Sequence, residues 1–189
     1  MKKVPTLFER DWTGDKSRVL DRVNPACDWV MRGEGVPTRK FDGTAVLVEG
    51  QKLFVRYDAK KGKTPPEGFR PAQDSPDDET GHWPGWLPAG EGPQYQWQRK
   101  AFESMPIPVL DGTYEVCGPH IQGNPEGFDH DILIRHGGEV VPEFVDRPLS
   151  FSMLAERLKG LDIEGIVWRH PDGRMAKIKK RDFGLRRKD

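Results

Sequence analysis

The chain has 189 residues, 35% of them hydrophobic, and 21 glycines, which is enough apolar material for one packed domain and too much for wholesale disorder. Thirty basic and thirty acidic residues cancel, so the overall field draws in neither nucleic acid nor a membrane surface. No apolar run approaches the ~20 residues that cross a bilayer, and Met1-Lys2-Lys3-Val4-Pro5 leads into polar residues rather than an apolar leader. Two cysteines, Cys27 and Cys117, form neither a metal spacing nor a disulfide framework. The expectation is a cytoplasmic monomer (host cytoplasm, were the source viral) with no membrane association. Charge is nonetheless uneven. Residues 74–79 are acidic, and seven of the last thirteen residues are Lys or Arg, a run that either tracks phosphates or is simply solvated.

Met1–Gly35 shows no clean period. Thr44–Glu49 and Leu53–Tyr57 are β-rich and flank Gly50-Gln51-Lys52, which predicts a hairpin. Residues 62–93 hold seven of the seventeen prolines and six glycines, a composition that predicts a long surface loop with neither helix nor central strand. Trp83 and Trp86 indicate that part of it packs down. Gln94–Ser104 reads as a helix between Pro93 and Pro106. Gly112–Gly118 and Asp131–Arg135 read as strands. Ser150–Lys159 is the clearest helix, capped by Ser150, with Phe151, Leu154 and Leu158 at helical spacing and Gly160 at its end. Ile163–Trp168 and Met175–Lys179 flank His170-Pro171-Asp172-Gly173 as a second hairpin. Strands dominate without βαβ alternation, so the class is α+β with mainly antiparallel sheet and flanking helices.

Chemistry concentrates in charged residues set among apolar strands. Lys40-Phe41-Asp42-Gly43 precedes the first clear strand. A lysine is nucleophilic only when its amine is neutral, which burial or nearby cations favour. Alone this motif is weak, and a polar turn is the plainer reading. Arg56, Glu115 and Glu164 then occur in order in strand-like segments. Lys177 and Lys179 alternate with Ala176 and Ile178 and so share one strand face. Charges so placed are costly to bury unless paired or ligand-bound, although a wet strand face explains any one of them. Five histidines show no paired metal spacing.

This ordered set resembles the covalent nucleotidyltransferases, which include ATP-dependent DNA ligases, RNA ligases and messenger-RNA capping enzymes. The matching segments are Lys40-Phe41-Asp42-Gly43, Arg56, Tyr114-Glu115-Val116, Glu164-Gly165-Ile166-Val167 and Lys177-Ile178-Lys179, spanning residues 40–179. Lys40–Thr44, Tyr114–Pro119 and Gly123-Asn124-Pro125 fit the RNA ligase branch best. The resemblance implies a stand-alone adenylyltransferase domain over residues 1–189, with a nucleotidyltransferase (ATP-grasp-like) fold. With ten residues after Lys179, no C-terminal OB-fold domain is expected.

The same resemblance implies roles. Lys40 would attack the α-phosphate of ATP to give a lysyl-AMP; AMP would pass to an RNA 5′-phosphate; a 3′-hydroxyl would then seal the strand. Asp42, Glu115 and Glu164 would supply oxygen ligands to Mg²⁺ or Mn²⁺, with Glu115 alternatively bonding the ribose. Lys177 and Lys179 would offset phosphate charge and disfavour protonation of Lys40. Arg56 would meet the ribose or the incoming 5′-phosphate, and Thr38 and Arg39 the adenine. Ile132–Arg135, where the base would stack, has no aromatic residue. Lys180-Arg181 and Arg186-Arg187-Lys188 are candidate RNA contacts, and Lys60, Lys61 and Lys63 either hold phosphates or are solvated. The alternatives are a GTP-using or non-sealing nucleotidyltransferase, and a non-catalytic nucleotide- or RNA-binding module.

Overall fold

The computed structural model describes residues 1–145 and 149–187. The chain forms two compact units, one from Met1–Lys3 and Asp42–His136, the other from Val4–Phe41 and Gly137–Asp189. We call them the six-stranded and three-stranded units after their main sheets.

The chain enters the three-stranded unit through β1 (Phe8–Arg10) and β2 (Val19–Val23), an antiparallel pair with an irregular register. A 3-10 turn at Pro25–Cys27 and the short α1 (Asp28–Met31) follow, then β3 (Val36–Lys40). None of these elements was legible as a period, because each is short and β3 combines Pro37 with a basic end. Lys40 therefore closes one strand rather than merely preceding another.

The six-stranded unit begins with β4 (Thr44–Glu49) and β5 (Lys52–Ala59). Glu49 pairs with Lys52, so the hairpin loop is the two residues Gly50 and Gln51, with φ of +55° and +60°. Positive φ at both positions matches the twist of the flanking strands. The strands β6 (Arg70–Pro71) and β7 (Trp83–Pro88) come next, then α2 (Gln96–Glu103) after a 3-10 turn, β8 (Gly112–Cys117) and β9 (Ile132–Arg135). Sheet order is β6-β7-β5-β4-β8-β9. Val46, Val48, Val55, Tyr114, Val116 and Leu133 fill this unit's core.

One expectation is overturned here. Residues 62–93 contain β7, an interior strand bonded to both β5 and β6. Its prolines are tolerated because of register. The Ala89 N–H donates to Leu53 O at 3.0 Å, and Pro88 and Pro84 lie opposite Phe54 and Asp58. Alternation makes these the non-hydrogen-bonded pairs toward β5, where an N–H is not required.

The chain then returns to the three-stranded unit with α3 (Phe151–Lys159), β10 (Gly165–Arg169) and β11 (Met175–Lys179). Ser150 caps α3, accepting the Met153 N–H at 3.3 Å. Sheet order is β11-β10-β3. Leu154 and Leu158 join Trp29, Phe144, Ile166, Trp168, Ala176 and Ile178 in a separate core. The architecture is thus antiparallel sheets with few short helices, as the α+β expectation requires. Among the described residues, no helix is long and apolar enough to cross a membrane.

Candidate functional site

In the three-stranded sheet, Gly165 is paired with both Lys40 and Lys179, and Val167 with both Thr38 and Lys177. Arg169 is paired with Val36 and Met175 in the next row. Directly paired residues project to the same side, so Lys40, Thr38, Lys177, Lys179 and Arg169 share one face. The opposite face carries Ile166, Trp168, Ala176 and Ile178, all fully buried. That buried face fixes the register, and the register fixes the lysines.

Glu164, just before β10, joins two of them. Its carboxylate is in close ion-pair contact with Lys40 Nζ and lies 3.7 Å from Lys179 Nζ. Lys40 Nζ also donates to the Phe41 carbonyl at 3.3 Å. Burial, then the charges of Lys179 and Lys40, bring the Lys177 pKa down to about 8. Burial also lowers that of Lys179, against the pull of Glu164. Thr38 Oγ1 donates to Val167 O at 2.8 Å and accepts from Arg169 Nε at 3.3 Å. Arg39 has the other strand parity and lies 4.6 Å from the Phe41 ring.

Asp42 and Gly43 open the six-stranded unit as a turn held by side chains. The Asp42 N–H donates to Glu126 at 2.7 Å and the Gly43 N–H to Glu115 Oε1 at 3.1 Å. Gln122 donates to the Gly43 carbonyl at 2.9 Å. Glu115 Oε2 meets His136 Nε2 at 2.8 Å, and His136 Nδ1 meets Thr113 Oγ1 at 3.0 Å. Gly43 is required sterically, since a Cβ there would lie 2.1 Å from the Val116 carbonyl oxygen. Gln122 and Asn124 hold φ of +51° and +56°, costly for non-glycine residues and sustained by side-chain bonds to Gly43 and Phe128.

Strand parity places Glu115 and Arg56 on the sheet face opposite the unit's core, with Ala45 opposite Glu115 and Trp86 opposite Arg56. Arg56 bonds Asp58 at 2.8 Å and the Met1 carbonyl at 2.5 Å. Among the described residues, no three His, Cys, Asp or Glu side chains gather as a metal-holding group. Glu115 is engaged at both oxygens by the protein itself. A groove of about 510 Å³ lined by Leu53, Phe54, Pro88, Ala89 and Phe102 holds none of these residues.

Sequence reasoning missed Gln122, Glu126, His136 and Arg169. The Gly-Asn-Pro segment marked the right loop, but no periodicity shows which of its side chains reach back to Asp42 and Gly43. One basic candidate is corrected. Lys180 is 2% exposed, and its ammonium donates to the Arg187 carbonyl at 2.6 Å, so it is part of the packing rather than a phosphate contact. Arg187 bonds Asp162 at 3.1 Å. Arg181, Arg186, Lys60, Lys61 and Lys63 are exposed, and Lys188 lies outside the described residues.

An amine against a carboxylate, with two further lysines and an arginine on the same sheet face, is an arrangement whose positive charge would attract anionic groups. No protein-family model matches the chain. Among curated proteins it is similar to RNA ligase 1 of Pongo abelii, 26% identical across 79% of this chain and 67% of that protein. RNA ligase 1 of Mus musculus is 29% identical across 95% of this chain and 71% of that protein. RNA ligase 1 of Danio rerio is 29% identical across 58% of this chain and 43% of that protein. These similarities support a relationship to the RNA ligase family.

Proposed function

We propose that the chain is a single ATP-dependent RNA ligase domain of the covalent nucleotidyltransferase type, with Lys40 as nucleophile. One observation carries the reading: the Lys40 amine lies against Glu164 on the strand face that also bears Lys177 and Lys179. Lys40 would pass its ammonium proton to the adjacent Glu164 carboxylate, and the neutral amine would then attack the α-phosphorus. The Nζ–P bond forms as the bond to the bridging oxygen breaks, and pyrophosphate leaves with the electron pair.

Lys177 and Lys179 would meet the non-bridging oxygens of the α-phosphate, where fixed positive charge helps most as charge shifts to the leaving group. An RNA 5′-phosphate then displaces Lys40 from the AMP. Attack by a 3′-hydroxyl on that activated phosphate releases AMP and closes the strand. Thr38 would contact the adenine, Arg39 only through its backbone since its side chain is on the other sheet face, and Arg56 would meet the ribose or the 5′-phosphate.

Magnesium usually takes one or two carboxylates and fills its shell with water and substrate phosphates. Asp42 and Glu164 would each offer an oxygen ligand of that kind, Glu164 beside the Lys40 it already pairs with, whereas Glu115 already spans Gly43 and His136. When bound, the metal would neutralise phosphate charge and make pyrophosphate a better leaving group.

The experiment is incubation with Mg²⁺ and α-labelled ATP or GTP, followed by addition of a 5′-phosphorylated RNA. Label from ATP retained on the protein, lost in Lys40→Ala and chased into joined RNA, is the expected result. Label from GTP alone would reject the ATP assignment. Label without joining would reject the sealing step.

A further inference from the structure

The loop that grips Asp42 and Gly43 carries a second device. Trp97 on α2 and His120 stack face to face, with centroids 3.5 Å apart and planes 6° from parallel. The other aromatic pairs among the described residues meet edge to face. Asp131 holds the imidazole in place. Its Oδ2 is 2.7 Å from His120 Nδ1, and its Oδ1 accepts the His120 backbone N–H at 3.1 Å.

The Asp131 side chain is only 8% exposed, while that of His120 is 47% exposed. A carboxylate buried to that degree needs strong partners, and both of its hydrogen bonds go to one exposed residue. Gly118 makes room for it, since a Cβ there would lie 2.4 Å from Asp131 Oδ1. With one face of the imidazole on Trp97 and Nδ1 on Asp131, about half of the side chain is still exposed. Lys100 places its ammonium 4.5 Å from the Trp97 ring centre, adding positive charge beside the stack. Gln122, two residues on, ties the loop to Gly43.

A flat, oriented, half-exposed platform with an ammonium at its edge suits a nucleobase of a single strand, which aromatic faces bind with little regard to sequence. It does not suit a cofactor base, which concave sites enclose on most sides. We propose that the Trp97–His120 stack is a subsite for a base of the RNA strand, with Asp131 fixing the ring. The inference rests on the RNA-joining reading above and names a contact for that substrate.

The test is fluorescence anisotropy with a labelled, single-stranded 5′-phosphorylated RNA and four full-length proteins: wild type, His120→Ala, His120→Asn and His120→Phe. Asn keeps a donor for Asp131 without a ring; Phe keeps the ring without the donor. Stacking predicts that Ala and Asn weaken binding about 5- to 100-fold, while Phe stays within a few-fold of wild type. An RNA abasic at the stacked position should bind wild type and His120→Ala alike. Asn binding like wild type, Phe binding as weakly as Ala, or ATP retention falling as far as RNA binding would each overturn the proposal. A wild type that binds RNA through His120 but forms no lysyl-AMP would sink the ligase reading and leave the subsite standing. Lysyl-AMP formation with RNA binding indifferent to His120 would do the reverse.

Discussion

Lys177 is held where its charge is disfavoured, and the consequence is measurable. Its pKa falls from 10.5 to about 8, chiefly through burial and then through Lys179 and Lys40. One pKa unit is worth about 1.4 kcal/mol, so the charged side chain weakens folding at neutral pH by at most about 3.5 kcal/mol. The sign follows from proton counting. Between about pH 8 and 10.5 the unfolded chain holds this proton and the folded chain has released it. Stability contributed by this group therefore rises with pH across that window; the full penalty applies below it and none above it. Replacing Lys177 with Met keeps the length and removes the charge. The strand's bonds to the segment ahead of β1 are untouched, since Lys177 contributes its backbone N–H and carbonyl to Pro5 and Leu7. Urea unfolding should show Lys177→Met more stable than wild type at pH 7 by about 1–3 kcal/mol, with the gap closing toward pH 10.5. A variant no more stable at pH 7, or a gap indifferent to pH, would refute the reasoning. If Lys177 serves phosphate chemistry, the stabilised variant should also lose lysyl-AMP formation by on the order of a hundredfold.

Gly43→Ala should destabilise by about 1–3 kcal/mol in the same unfolding assay, because its Cβ meets the Val116 carbonyl oxygen at 2.1 Å and backbone must move. Asp182→Ala should cost about 3 kcal/mol, since this fully buried carboxylate accepts from Arg10 at 3.1 Å and from the Lys179 N–H at 2.8 Å. Cys27 is fully buried and its thiol is pushed up to about 12, so iodoacetamide at pH 8 should alkylate it only after unfolding, read by peptide mass spectrometry.

Local signals made much of the fold legible. The β4–β5 and β10–β11 hairpins are written in turn residues between β-rich runs, and α3 in its serine cap and helical spacing. β3 escaped because Pro37, Arg39 and Lys40 look unlike a strand until β10 supplies a partner. β7 escaped because proline content argues against a strand, whereas proline position relative to the ladder decides the matter. In the candidate site, the order of Lys40, Glu164, Lys177 and Lys179 was readable, and the sheet register brings those four together. The clamp on Asp42 and Gly43 was not readable, because Glu126, Gln122 and His136 act across long sequence separations through single side-chain bonds that leave no pattern. Burial of Lys180 was equally hidden within a run of basic residues.

The most direct measurement is peptide mapping by mass spectrometry of protein incubated with ATP and Mg²⁺. The account predicts one AMP adduct, on the peptide carrying Lys40, which vanishes in Lys40→Ala. Absence of any adduct from folded wild type, or an adduct carried by Lys177 or Lys179 instead, would contradict it.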